Sequence, residues 1–289
     1  MHIESLIGHE LQLNHFISLY KKNKLPSKIL LSGKKGIGKS LLVKFFLFGV
    51  FDDEKSKLLL QNEAHTNILK IKKKNDKQNI EIDQIREIIK FTNQSSFNNK
   101  SRFIIIEDIE YLNINSSNAL LKSLEEPNSN VYFFLIHNTE MKVLDTIKSR
   151  CLEYKIDLKI KDTKLIVDNY FDEHIFEIIN NELKNYYSTP RFIISLVSYL
   201  KENDLNISDT NINKLIINII DNKHYDKHVF VKEYLNYIIE LFFYNHISIT
   251  KEISYKVKEY YYTKLFNIRK FNLDYETFFL EFDDNLLNG

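Results

Sequence analysis

The sequence holds one cysteine, Cys151, and no tryptophan, and its 289 residues carry only six glycines and three prolines. A lone cysteine excludes an internal disulfide framework and any cysteine-rich zinc module. No internal repeat and no Pro/Ser-rich linker interrupts the chain. Neither sign of charge prevails: 40 Lys and Arg against 39 Asp and Glu leave +1 with neutral His. There is therefore no global basic field, and any nucleic-acid contact must be local or shared with partners. No apolar run reaches the roughly 18 residues of a membrane span. The opening MHIESLIGHE carries Glu4 early, with no basic flank ahead of a long apolar stretch, which is not a signal-peptide pattern. These absences point to a cytoplasmic protein. What is present is an ordinary globular balance, 44% apolar and 27% charged. A prior of roughly 150 residues per domain predicts about two domains.

Glycine is scarce, yet Gly33, Gly36 and Gly38 fall within one short stretch. In such a background the cluster points to backbone positions that only glycine occupies cheaply. Around it, KILLS (28–32) reads as a buried strand and 39–51 as a mostly buried helix. A short strand is predicted at Ile80–Ile82, followed by a helix over 84–89. RFIIIE (102–107) and VYFFLI (131–136) are apolar and β-branched runs of strand length. Residues 116–126 form a helix with Ser or Asn at its start and Pro127 past its end, and 142–150 a further helix. Strands alternating with helices predict an α/β unit around a mainly parallel sheet. After Cys151 and LEYKI the pattern turns helical. Period alone does not separate helix from strand in the aromatic stretch 234–247, but its length favours helix.

GKKGIGKS, Gly33 to Ser40, matches G-x-x-x-x-G-K-S after a strand and before a helix, the context that this phosphate-binding loop requires. Its glycines let backbone N–H groups converge on phosphate oxygens, and the helix adds its positive dipole end. Lys39 reads as a solvent-facing ligand of the β- and γ-phosphates, and the Ser40 hydroxyl as a Mg²⁺ ligand. Glu107 and Asp108 end the FIII strand, where two acids can hold the metal's water shell and orient an attacking water. An acidic loop entry is the alternative. Asn138, just past VYFFLI, fits either a turn residue or a contact to the γ-phosphate or the attacking water. Thr189 and Pro190 read as N-cap and first helical position, which puts Arg191 in the first turn. A cation there opposes the macrodipole by about 0.3–1 kcal/mol unless an anion sits nearby. A nucleotide phosphate would supply that anion; a solvated surface arginine is the alternative. Arg150 ends a helix, where a cation is favourable by itself. Lys70, Lys72, Lys73, Lys74 and Lys77 form a basic run that reads as a solvated loop or a phosphate-backbone contact.

Four segments in order, Ile7-Gly8-His9-Glu10, the phosphate loop, NALLKSLEEP (118–127) and Ser149-Arg150-Cys151, resemble the clamp-loader subunits of the AAA+ class over about residues 5–200. Within that family, Ile80 to Arg86 (IEIDQIR) resembles the bacterial DNA polymerase III delta-prime group better than the gamma/tau motor, whose C-terminal extension has no room here. The resemblance implies an α/β RecA-like AAA+ nucleotide-binding domain over 1–157. A small helical lid over 158–205 and an all-α collar over 206–289, which joins subunits in a ring, complete the implied architecture. It further implies ATP and Mg²⁺ as cofactors, the metal held by Ser40 and Glu107. Gly8 and His9 would lie near the adenine, Arg191 would be a second nucleotide sensor, and Arg150 an arginine finger offered in trans. The implied partners are gamma/tau and delta subunits in a hetero-oligomeric ring, the sliding clamp, and primed DNA through the complex, with no membrane. The implied function is ATP-dependent loading of the clamp, with no polymerase site in this chain.

Three departures from the family matter. The zinc-binding cysteines of many relatives are absent, so no structural zinc is expected. The usual Asp-Glu order appears as Glu107-Asp108, and the shorter Asp108 reaches about one methylene less far. Many delta-prime subunits have lost the phosphate loop, whereas this chain keeps it whole. ATP binding with weak or no turnover is expected. The alternatives are a self-sufficient P-loop ATPase and the gamma/tau-type motor.

Overall fold

The computed structural model describes residues 6–74, 77–93, 100–125, 130–139, 141–185, 188–249, 253–271 and 273–287. The chain divides into two compact units, Met1–Asp162 and Thr163–Gly289.

The first unit contains α1 (Glu10–Lys21), β1 (Lys28–Ser32), α2 (Lys39–Val50), α3 (Glu54–Gln61), β2 (Ile68–Ile71), α4 (Ile82–Asn93) and β3 (Arg102–Ile106). It continues through α5 (Ile114–Glu125), β4 (Val131–His137), α6 (Asp145–Lys148) and β5 (Leu152–Lys155). The five strands form one sheet in the order β2-β3-β4-β1-β5, with every pairing parallel. The expected α/β class is borne out. A parallel sheet needs helices on both faces, and strand alternation supplies an apolar side chain to each. Ile29 and Leu31 of β1, Phe103 and Ile105 of β3, and Phe134 and Ile136 of β4 join a cluster with Phe16, Leu42 and Phe46. Their neighbours Leu30, Ile104, Ile106, Phe133 and Leu135 join Ile85, Ile88, Leu120 and Leu124 on the other face.

Several elements differ from the sequence reading. Ile80 makes an isolated bridge to Leu112 rather than opening a strand. The strand is β2, twelve residues earlier, so Lys70 sits on a sheet edge rather than in a loop. LEYK is the opposite edge strand. The helix expected over 142–150 is only α6. α5 begins at Ile114, where the Asn113 side chain accepts a 2.9 Å hydrogen bond from the Ser116 amide and so satisfies an orphan donor of the first turn. Pro127 lies outside the described residues.

The second unit is helical: α7 (Ile160–Phe171), α8 (Ile175–Ile178), α9 (Pro190–Glu202), α10 (Ile212–Asp221), α11 (His224–Lys227), α12 (Val229–Phe243), α13 (Tyr255–Phe271) and α14 (Glu276–Phe282). The aromatic stretch 234–247 is helix, α12 and a π-helical turn beyond it. One hydrophobic cluster runs from Val167 to Phe282, across residue 205. No helix among the described residues is long and apolar enough to cross a membrane.

Candidate functional site

The site lies at the carboxyl ends of β1, β4 and β3, where open parallel sheets bind ligands because the chain leaves adjacent strands in opposite directions. β1 runs into the glycine loop. Gly36 and Gly38 have φ of 85° and 99°, left-handed conformations in which a side chain is strained. At Gly33 space is the constraint: a Cβ there would stand 2.3 Å from the Ile156 carbonyl oxygen. The loop is tied at its start by the Gly33 amide, which donates to the His137 carbonyl at 3.2 Å. At its end, His9 Nε2 donates to the Ile37 carbonyl at 2.6 Å. That bond places the proton on Nε2, and the buried Nδ1 has no partner among the described residues. His9 therefore braces the loop from the head of α1. Gly8 beside it has φ 83°, and a Cβ there would meet Leu158 and Asp162.

Lys39 does not face solvent as the sequence suggested. It is 3% exposed, and its Nζ donates to the Gly33 and Lys34 carbonyls at 2.7 Å each. The ammonium thus lies inside the loop, at the N-terminus of a twelve-residue helix. Converging amides, the helix dipole and this cation together favour a phosphate chain.

Glu107 follows β3, and its amide donates to the Ile71 carbonyl at 2.8 Å. With Ser40, Lys44, Glu63 and Lys70 it lines a cavity of about 250 Å³. Ser40 and Glu107 are oxygen donors of the kind a hard divalent cation takes, so the residues present fit Mg²⁺. Glu107 Oε1 lies 3.6 Å from Lys70 Nζ and its Oε2 4.0 Å from Lys72 Nζ. Burial works against the Lys70 charge, but Glu107 and Glu63 outweigh it and raise its pKa.

Asp108 adopts left-handed backbone, φ 56°. Its Oδ1 accepts a 2.7 Å hydrogen bond from Asn138 Nδ2. The Asn138 amide donates to both carboxylate oxygens of Glu110 at 3.3 Å. Asn138 is therefore held at both ends by acids. Burial pushes the pKa of Glu110 up. Sequence reasoning missed Glu110; its signal was an acid inside the apolar turn Ile109–Tyr111.

Arg150 has a different set of partners. Its Nε and Nη2 donate to Glu125 Oε1 at 2.9 and 2.5 Å, and its Nη1 donates to the Thr146 carbonyl at 2.9 Å. Arg191 lies in the second unit. The Thr189 hydroxyl caps its helix and Pro190 opens it, as expected. The anion that offsets the macrodipole there is Glu233, 3.2 Å away.

A family model described as DNA polymerase III, delta subunit, matches residues 8–159. The chain belongs to that family. Relatives named DNA polymerase III subunit delta' support the expected delta-prime resemblance. The one from Pseudomonas aeruginosa is 31% identical over 43% of this chain and 41% of its own length. That from Haemophilus influenzae is 33% identical over 35% of this chain and 30% of its own. A DNA polymerase III subunit gamma from Buchnera aphidicola is 24% identical over 72% of this chain and 61% of its own length. The chain thus spans less than two thirds of the length of each of these relatives. The chain is thus similar to DNA polymerase III subunits of the delta' and gamma kinds, in line with the family expected from the motifs.

Proposed function

We infer that this chain is an ATP-binding subunit of a replicative clamp loader that hydrolyses ATP weakly or not at all. The observation that carries the reading is the pairing of an intact phosphate loop with acids that are already engaged. Asp108 is bonded to Asn138, and Glu107 faces two lysines. A carboxylate tied by hydrogen bonds and ion pairs is a poor activator of water. Binding needs only the loop.

In this reading the loop amides and Lys39 hold the phosphates, and Ser40 and Glu107 are the residues that would hold Mg²⁺, which would neutralise phosphate charge if bound. Gly8 and His9 stand toward the adenine side, Asn138 orients the γ-phosphate region, and Arg191 reads the nucleotide from the lid. Arg150 offers its guanidinium to the ATP of a neighbouring subunit. Residues 1–157, 158–205 and 206–289 act as nucleotide domain, lid and collar. The partners are gamma/tau and delta subunits, the sliding clamp, and primed DNA through the assembled ring, in the cytoplasm.

The test is ATP binding and steady-state turnover of the purified chain, alone and with its partner subunits. Lys39→Ala should abolish binding; because Lys39 is buried, a thermal melt must show the variant folded. Equal affinity in wild type and a folded variant removes the site. Turnover of about 1 s⁻¹ or more by the isolated chain, in the usual enzyme range, favours the self-sufficient ATPase instead.

A further inference from the structure

Glu107 is the carboxylate that the nucleotide reading assigns to the metal, yet two ammonium groups already attend it. Lys70 projects from β2, the edge strand beside β3, in register with Ile105. Its Nζ bridges Glu63 Oε1 at 3.0 Å and Glu107 Oε1 at 3.6 Å, while Lys72 stands 4.0 Å from the other oxygen. Glu107 is 12% exposed at its side chain while Lys70 and Lys72 are 38% and 55% exposed, so burial of the carboxylate strengthens these pairs and water at the lysines weakens them. Lys70, Lys44 and Glu107 share one cavity with Ser40. The cations thus stand in the surroundings in which a divalent ion would gain its electrostatic advantage.

We propose that Lys70, backed by Lys72, is a resident cation at the metal subsite, so that this chain binds nucleotide with little dependence on Mg²⁺. This rests on the nucleotide reading above. The physical argument is one of competition. A carboxylate neutralised by lysine attracts a second cation less, and the lysines themselves repel it. Unit charges about 4 Å apart interact by about 1 kcal/mol in bulk water and about 4 kcal/mol at the effective dielectric near a protein surface, so the contact with Lys70 weakens the carboxylate's preference for another cation by roughly tenfold.

The experiment is equilibrium binding of ADP and of a non-hydrolysable ATP analogue to the full chain, in excess Mg²⁺ and in EDTA. Wild type should lose less than about threefold in affinity when Mg²⁺ is removed. Lys70→Met/Lys72→Met, which keeps the apolar stems and removes the charges, should lose about tenfold or more. Lys70→Arg/Lys72→Arg should behave as wild type, since the cations remain. The gain in Mg²⁺ dependence should vanish when Glu107→Gln is added to the Met variant, because the contested carboxylate is gone. A tenfold loss by wild type in EDTA, or an unchanged Mg²⁺ response in a folded Met variant, overturns the proposal. So does a Met variant that cannot fold while the Arg variant shows the Mg²⁺ dependence. Absence of binding under either condition overturns the nucleotide site and this role together.

Discussion

Replacing Arg150 by alanine sets two effects of different size against each other. Within the chain, the guanidinium makes two bonds to Glu125 and one to the Thr146 carbonyl. The pair is solvated, with side-chain exposures of 35% for Arg150 and 54% for Glu125. An ion pair of that kind contributes about 0.2–1 kcal/mol. For a chain of this size 1 kcal/mol moves the melting temperature by about 2–4 °C, so Arg150→Ala should cost at most a few degrees. For the trans role proposed above, the scale differs. These three bonds use three of the five N–H groups of a guanidinium and leave one on each Nη for an outside acceptor. A finger that meets transition-state charge in this way is worth about 10³–10⁵ in rate, or roughly 4–7 kcal/mol of barrier. The assay is ATPase of the reconstituted loader with wild-type or variant chain, stimulated by clamp and DNA, after equal assembly has been confirmed. Turnover should fall, by less than the full factor where other sites have their own fingers, while this chain's melting and its own ATP affinity stay nearly unchanged. Arg150→Lys should restore the pairing with Glu125 but little of the rate, because lysine lacks the planar fork. Unchanged turnover with Arg150→Ala would reduce the residue to a helix-end cation held by Glu125.

Two further outcomes follow from the site and its flank. Glu110 has its pKa raised by burial, so the folded state holds its proton more tightly than the unfolded chain does. Its contribution to stability is greatest in acid and is lost as pH rises from the ordinary glutamate range, about 4.3, through the raised value. Glu110→Gln, which keeps an acceptor for the Asn138 amide, should therefore gain stability near neutral pH and flatten that part of the profile in urea titrations; a loss at neutral pH would refute this. Burial pushes the Cys151 thiol up to about 11. At pH 8 its alkylation should run about two hundredfold slower than that of an ordinary thiol of pKa near 8.5, and a rate like that of free cysteine would show the side chain to be open.

What was legible in the sequence was whatever the chain writes locally. The phosphate loop announces itself because strand, glycines, lysine and helix are contiguous. β3 and β4 are buried on both faces and so read as unbroken apolar runs. The edge strands escaped notice for the opposite reason. β2 carries Lys70 within ILKI and β5 is largely exposed, so neither offers a long apolar signal. The electrostatics of the site escaped for a different reason: Lys70 and Glu107, Glu125 and Arg150, and Glu110 and Asn138 are 25 or more residues apart in sequence. Residue types were visible at each position, but the sheet order decides which of them meet. Arg191 illustrates this, since its helix position was readable and its partner Glu233 was not.

The unbroken core of the second unit bears on how a signal could pass through it. Phe192, next to Arg191 on α9, packs against Phe230, Tyr234 and Tyr237 of α12 at ring separations of 6.0, 5.3 and 4.5 Å. The Ser188 and Tyr237 hydroxyls lie 3.0 Å apart. Close-packed interiors transmit strain rather than absorb it, and these contacts tie α9 to α12 across residue 205. In the ring proposed above, a neighbour that tilted α12 would carry the Arg191 guanidinium with it.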